Sequence, residues 1–239
     1  MEKYRSADVI ILKGVAYGEG NRIFTCFGRN EGKFSAVARG VMKPKSKLKG
    51  HLQLGNRCTL QLTAGKGLPT ITSASATETY AANREKAELY FYTSYFLELC
   101  NDFMPEHLPE TAVFDLLDGV LKALREGNPK LLARFYELKM LTLTGVAPDL
   151  TACAACGEKL QKGFLNPRFP GIICPKCGGG TEVSPKAVFA LKFLSATELP
   201  LLNRLKTDAE TDRLLAQTTK QLLERSLERK IKSLELLNF

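Results

Sequence analysis

The sequence predicts a multidomain α+β protein: a small N-terminal β-barrel, then an α-helical domain with a four-cysteine insertion. Three observations carry this reading. Up to about residue 80, apolar residues alternate with a period of two between glycine-rich breaks. Beyond it they recur every three or four residues, and two C-x2-C pairs interrupt that helical pattern. The expected domains are residues 1–80 and 81–239, with the cysteine insertion at about 150–182 and the boundary between Thr77 and Asn83.

The clearest strand is the one around Cys58, Leu60, Leu62 and Ala64, which alternate with Arg57, Thr59, Gln61 and Thr63 so that one face meets a core and the other meets water. Similar runs span Ala7 to Lys13, Arg22 to Phe27, Lys33 to Val41 and Leu68 to Ala74. Gly18-Glu19-Gly20-Asn21, Asn30-Glu31-Gly32 and Gly65-Lys66-Gly67 link them. About five closely spaced strands suit a small barrel, and the OB-fold is the common five-stranded kind.

The first long helix is predicted from Leu89, Tyr92, Phe96, Leu99 and Phe103, with Phe91 and Tyr95 on a neighbouring face, and Pro105 and Pro109 close it. A second stripe runs from Val113 to Leu124 and stops at Gly127. Asn128-Pro129 then opens a third helix to about Gly145, a cap followed by proline at the first helical position. Ser184-Pro185 repeats that start. Thr207-Asp208-Ala209-Glu210 reads as a capping box before a long C-terminal helix carrying Leu223, Leu227, Ile231 and Leu234 on one stripe.

With 239 residues the chain is long enough, at roughly 100 to 200 residues per domain, for one large or two modest domains. Its start is charged and its longest early apolar run is Val9-Ile10-Ile11-Leu12, which argues against secretion and membrane spanning. The net charge of +9 is uneven: residues 1–80 hold 13 of the 34 Lys and Arg but only five of the 25 Asp and Glu. That excess calls for a polyanionic partner. Seven cysteines without a secretory leader argue for thiols in a reducing compartment, and an odd count cannot pair completely.

Cys153-Ala-Ala-Cys156 and Cys174-Pro-Lys-Cys177 are separated by 17 residues, a spacing typical of structural zinc. Gly157 and Gly178 follow the pairs and let the chain wrap a metal, while Gly163-Phe164-Leu165 and Gly171-Ile172-Ile173 suit the arms of a hairpin. Four thiolates close a tetrahedral shell, so one structural Zn2+ is expected and no catalysis at it. Cys26, Cys58 and Cys100 fall inside strands or a helix and read as small buried apolar residues.

Arg39, Lys43, Lys45, Lys47 and Lys49 place five cations in eleven residues, broken by Gly40, Pro44 and Gly50 into an exposed loop able to follow a phosphate backbone. Arg22, Lys33 and Arg57 complete the expected nucleic-acid contacts, with Arg29 as a further candidate. Phe24, Phe27, Phe34 and Tyr17 are candidates for stacking on bases, although alternation sends Phe24 and Phe27 to opposite faces.

No phosphate loop, H-E-x-x-H or H-x-E pair occurs, and His51 and His107 stand apart, so an enzyme is not expected. The residues alone leave two rivals to a DNA-binding protein. One is a zinc-ribbon RNA-binding or transcription accessory protein, which would favour RNA through 2′-hydroxyl contacts. The other is an enzyme acting on nucleic acid, which would need an open metal position or a carboxylate cluster.

The order of features resembles the RecO family of bacterial recombination mediators over nearly the whole chain. The resemblance is carried by Gly18-Glu19-Gly20-Asn21-Arg22, Lys33-Phe34-Ser35-Ala36-Val37-Ala38-Arg39-Gly40, Arg134-Phe135-Tyr136-Glu137-Leu138, the cysteine quartet, and Lys230-Ile231-Lys232-Ser233-Leu234. It implies a non-catalytic cytoplasmic, nucleoid-associated protein of DNA repair that binds single- and double-stranded DNA. It implies strand annealing without ATP or another nucleotide cofactor, and action with RecR to load RecA onto DNA coated with single-stranded-DNA-binding protein. The helical domain would take the acidic C-terminal tail of that coating protein, with Arg134 on the matching helix and Lys130 and Lys139 as further candidates.

Overall fold

The computed structural model describes residues 4–64, 67–231 and 233. The sequence expectations for Gly65, Lys66, Lys232 and Leu234 lie outside these residues. The chain divides into two compact units between Arg125 and Glu126.

In the first unit β1 (Tyr4–Tyr17), β2 (Asn21–Gly28), β3 (Gly32–Ala38), β4 (Arg57–Thr63) and β5 (Thr70–Glu78) close into a barrel in the order β1-β2-β3-β5-β4. Closure rests on β1, whose first half pairs antiparallel with β4, from Tyr4 opposite Thr63 to Ile10 opposite Arg57. Its second half pairs with β2, from Val9 opposite Gly28 to Tyr17 opposite Asn21. A register shift between Ile11 and Lys13 bends the strand from one duty to the other. β3 meets β5 in parallel at Val37 and Thr70, and the five-stranded barrel is an OB-fold.

The period-two pattern sorts the two faces. Val9, Ile11, Phe24, Cys26, Phe34, Ala36, Cys58, Leu60 and Leu62 fill the interior. Gly14 is needed there, because a Cβ would come within 2.9 Å of the Phe24 ring. Burial pushes the Cys26 and Cys58 thiols up, Cys58 to about 12, so both behave as small apolar residues. The segment after β3 is also anchored: Val41 and Leu52 are buried in the barrel core and Leu48 packs against it.

Three helices complete this unit, the short α1 (Ala82–Glu85), then α2 (Ala87–Phe103) and α3 (Thr111–Ala123). α3 covers part of the barrel's outer face, where the Phe27 and Phe114 ring centroids lie 6.1 Å apart. Arg29 pairs with Asp115, and the Lys33 ammonium donates to the Asn101 carbonyl at 2.7 Å. Arg57 donates to both Asp8 oxygens, at 3.0 and 2.7 Å, and to Asp118 at 3.2 Å. Tyr80 donates its hydroxyl to Asp118 from a left-handed backbone conformation, φ 43°.

The second unit contains α4 (Pro129–Leu143), β6 (Gly163–Leu165), β7 (Ile172–Ile173), β8 (Thr181–Val183), α5 (Pro185–Ala196), a 3-10 turn (Leu199–Arg204) and α6 (Ala209–Leu227). α4 is its central helix, packed against α5 and α6, with every residue from Leu131 to Leu138 buried. Asn128 and Ser184 cap their helices as the sequence predicts, accepting from the backbone N–H of Leu131 and Ala187. At α6 the cap is Asp208, not the expected Thr207: its carboxylate accepts from the Thr211 N–H at 2.8 Å. Bonds from Thr211 and Lys186 hold the Asp208 carboxyl at about 2, and the negative charge suits a helix N-terminus better than a hydroxyl would. α6 ends at Leu227, where Glu228 is left-handed, so buried Ile231 follows the helix instead of extending its stripe.

Candidate metal centre and nucleic-acid interface

The first candidate site is built by a small sheet. β6 pairs antiparallel with β7, as the hairpin reading predicts, and β8 adds a third strand on the other side of β6. The first C-x2-C pair turns back, with Gly157 left-handed at φ 75° and its N–H donating to the Cys153 carbonyl at 2.9 Å, and in the second pair the Cys177 N–H donates to the Cys174 carbonyl at 3.0 Å. Cys153, Cys156, Cys174 and Cys177 thereby bring their sulfurs within 4.8 Å of one another, and Cys156 and Cys174 stand 3.8 Å apart.

The donor set fits a tetrahedral metal ion. Bonds of about 2.3 Å from sulfur to zinc put neighbouring sulfurs roughly 3.8 Å apart, and thiolates suit soft or borderline cations. Burial opposes ionisation of Cys153, but backbone N–H groups from Cys174 at 3.2 Å and Ala155 at 3.4 Å outweigh it and hold the thiol at about 6. The neighbouring sulfurs of Cys156 and Cys174 push Cys177 the other way, to about 12. Four sulfurs so close cannot all shed their protons unless a cation compensates them, and this cluster could hold one.

The second candidate site is the basic side of the barrel. Arg39, Lys43, Lys45, Lys47 and Lys49 are all exposed, on a segment whose ends are fixed by buried Val41 and Leu52. His51 holds this segment to β5, its Nδ1 accepting from the Ala76 N–H at 3.2 Å. Arg22 is half-buried between Ala16 and Ala38. Lys33 and Arg57, expected with this group, are engaged elsewhere in the bonds to Asn101, Asp8 and Asp118 described above. Arg57 stacks over Phe114 as well, at 5.2 Å, and the two carboxylates it bonds more than offset its single charge. The stacking candidates need a correction too: Phe24 and Phe34 are inside the barrel and Phe27 is under Phe114, which leaves Tyr17 exposed.

The third is a cavity of about 130 Å3 between α4 and α6, lined by Lys130, Arg134, Ala209, Asp212, Arg213 and Ala216. Arg134 is only 3% exposed and donates to Glu137, itself fully buried, at 2.6 Å. It is therefore not the ordinary surface arginine its helix position suggests. Lys139 is apart from this cavity: it donates to the Ser195 carbonyl at 2.7 Å and lies over the Phe135 ring. Sequence reading missed Asp212 and Arg213. They share a helix face with Ala209 and Ala216 at spacings of three and four, a legible pattern, but nothing local says that this face meets Arg134.

Residues 1–80 match the family described as Recombination protein O N terminal, and residues 84–235 match Recombination protein O C terminal. The two family regions meet between residues 80 and 84, whereas the compact units divide after Arg125, because α2 and α3 pack with the barrel. The chain is 32% identical over 241 residues to the DNA repair protein RecO of Pelotomaculum thermopropionicum, covering 99% of this chain and 94% of that one. It is 32% identical over 239 residues to the DNA repair protein RecO of Moorella thermoacetica, covering 97% and 90%. Against the DNA repair protein RecO of Dehalococcoides mccartyi the figures are 32% over 207 residues, covering 84% and 82%. Both family regions and these near-full-length similarities agree with the barrel, the helices and the cysteine cluster, and the chain belongs to the RecO family of recombination proteins.

Proposed function

We propose that this chain is a non-catalytic mediator of DNA repair and homologous recombination. It binds single- and double-stranded DNA, anneals complementary strands without ATP and, with RecR, helps load RecA onto DNA coated with single-stranded-DNA-binding protein. The observation that carries the reading is the anchored segment from Arg39 to Lys49, five exposed cations beside an OB-fold barrel in a RecO-family chain. Arg22 adds to this contact, while Lys33 and Arg57 act by holding the helices to the barrel.

The four cysteines take one structural Zn2+, which supplies the cohesion of residues around 150–182 and, with all four positions filled by sulfur, leaves none for water or substrate. The cavity lined by Lys130, Arg134 and Arg213 receives the acidic C-terminal tail of the coating protein. Among the described residues no helix is long and apolar enough to cross a membrane, and the chain works at the nucleoid.

The test is annealing of complementary oligonucleotides coated with single-stranded-DNA-binding protein, without ATP. Acceleration by the purified chain, and its loss when the coating protein lacks its tail, are the expected results. No acceleration would sink the mediator reading. Tighter binding to RNA than to DNA of the same sequence would favour a zinc-ribbon RNA-binding or transcription accessory protein.

A further inference from the structure

Stacking on bases needs an aromatic face in solvent, and the barrel's phenylalanines have withdrawn theirs. Tyr17 has not: it is 54% exposed at the end of β1, opposite Asn21. Tyr4, also exposed, is at the far end of the same strand, opposite Thr63.

Tyr17 does not stand alone. Val15 pairs with Ile23, and Ile23 in turn with Val37. Directly opposed residues project to one face of a sheet, so Tyr17, Val15 and Ile23 form an apolar strip on the outer surface, opposite the face that buries Phe24, with buried Val37 at its inner end. Val15 is 43% exposed.

The strip adjoins the lysine segment, and the junction is fixed. The Met42 N–H donates to the Gly20 carbonyl at 3.0 Å, and the Gly40 N–H to Asn21 Oδ1 at 2.8 Å. The Lys43 stem runs past both glycines, since a Cβ would meet its carbons at 3.9 Å from Gly20 and 3.5 Å from Gly40. A second copy of the chain or another protein could cover an apolar strip, but five cations beside it select a polyanion. Among polyanions, one with unpaired bases also offers flat apolar faces.

We propose that Tyr17, with Val15 and Ile23 beside it, is the base-stacking platform of the barrel and gives it a preference for unpaired over paired DNA. This rests on the DNA-binding reading above. The lysines hold phosphates of either form, whereas duplex bases are already stacked on one another and give Tyr17 nothing to meet.

The experiment compares oligo(dT) with a duplex of equal length, using the full chain and its Tyr17→Ala, Tyr17→Phe and Tyr17→Trp variants. Tyr17→Ala should weaken oligo(dT) binding about five- to thirtyfold, since stacking contributes strongly per base, and leave the salt slope unchanged, since no phosphate contact is lost. Duplex affinity should stay within about twofold, and Tyr17→Phe should bind like the parent. The chain has no tryptophan, so Tyr17→Trp supplies a single reporter whose fluorescence should be quenched by oligo(dT) and not by duplex, a reading that holds even if the alanine variant folds poorly.

Unchanged oligo(dT) affinity of folded Tyr17→Ala, with binding still lost when Lys43, Lys45, Lys47 and Lys49 are replaced, would overturn the stacking role and leave the DNA reading intact. No DNA binding by the parent chain would overturn both. A change of oligomeric state in Tyr17→Ala with DNA binding intact would assign the strip to a second copy.

Discussion

The barrel and the cysteine module are both small β-structures, and they are held by different forces. Barrel strands run from seven to 14 residues and enclose one continuous apolar core. The module's strands have three, two and three residues, and their large buried apolar side chains are Leu165, Ile172, Ile173 and Val183. So short a ladder offsets little of the conformational entropy of ordering its chain, and a metal ion on the four clustered sulfurs would add the cohesion that the ladder lacks. The comparison teaches that cohesion distributed over packing is lost in small steps, whereas cohesion gathered at one ion is lost as a unit.

Metal removal should break the comparison most sharply. Binding of structural zinc is worth about 10–16 kcal/mol in small zinc modules, so Cys153→Ser, Cys177→Ser or a strong chelator should unfold residues around 150–182 while the barrel keeps its structure. Hydrogen exchange read separately over β4 and over β6–β8 checks this, and freshly purified, reduced protein should carry about one zinc. Equal protection of both regions with and without metal would refute it.

Next in size is the buried pair in α4. Arg134→Ala removes the buried cation paired with Glu137 and should destabilise by about 3–5 kcal/mol, an effect read in denaturant unfolding. Loss of peptide binding in that variant would then say little about the cavity. Lys130→Ala and Arg213→Ala change exposed residues of the same cavity. They should weaken an acidic peptide ending in an aromatic residue without lowering the unfolding midpoint, and unchanged peptide affinity would remove the cavity as its site.

A smaller effect tests how the barrel holds its helices. Burial would raise the Asp118 carboxyl, but Lys122, Tyr80 and Arg57 outweigh it and hold the group below the usual carboxylate range. A depressed folded value means that the stabilisation is fully present above the unfolded pKa of about 3.9 and is lost as pH falls through the folded value. Asp118→Asn should therefore be less stable by about 2 kcal/mol at pH 7 and converge on the parent in acid. A pH-independent difference would show that shape, not charge, accounts for the loss.

The smallest effect on stability should come from replacing Lys43, Lys45, Lys47 and Lys49 by alanine, since all four are exposed and the anchors Val41 and Leu52 remain. The unfolding midpoint should hardly move. On single-stranded DNA the log-affinity against log-salt slope should fall in magnitude by up to about 0.7 per lost contact. An unchanged slope in the folded variant would move the DNA contact elsewhere on the barrel.

What the sequence determined by itself is local. Alternation from Arg57 to Thr63, helical spacing from Leu89 to Phe103, the caps at Asn128 and Ser184 and the two C-x2-C pairs each depend on residues within a few positions, where backbone geometry sets the rule. Tertiary structure decided whatever depends on a distant partner. Arg57 and Lys43 are equally basic on paper, yet Arg57 meets Asp118, 61 residues away, and Lys43 meets water. Phe27 looked as available for stacking as Tyr17 until Phe114 covered it, and Arg134, expected to take a peptide, is buried against Glu137 where α4 packs on α5 and α6. A side chain's charge and shape are written in the sequence, but whether it faces a carboxylate, a ring or solvent is settled only when the chain closes on itself and burial selects its neighbours.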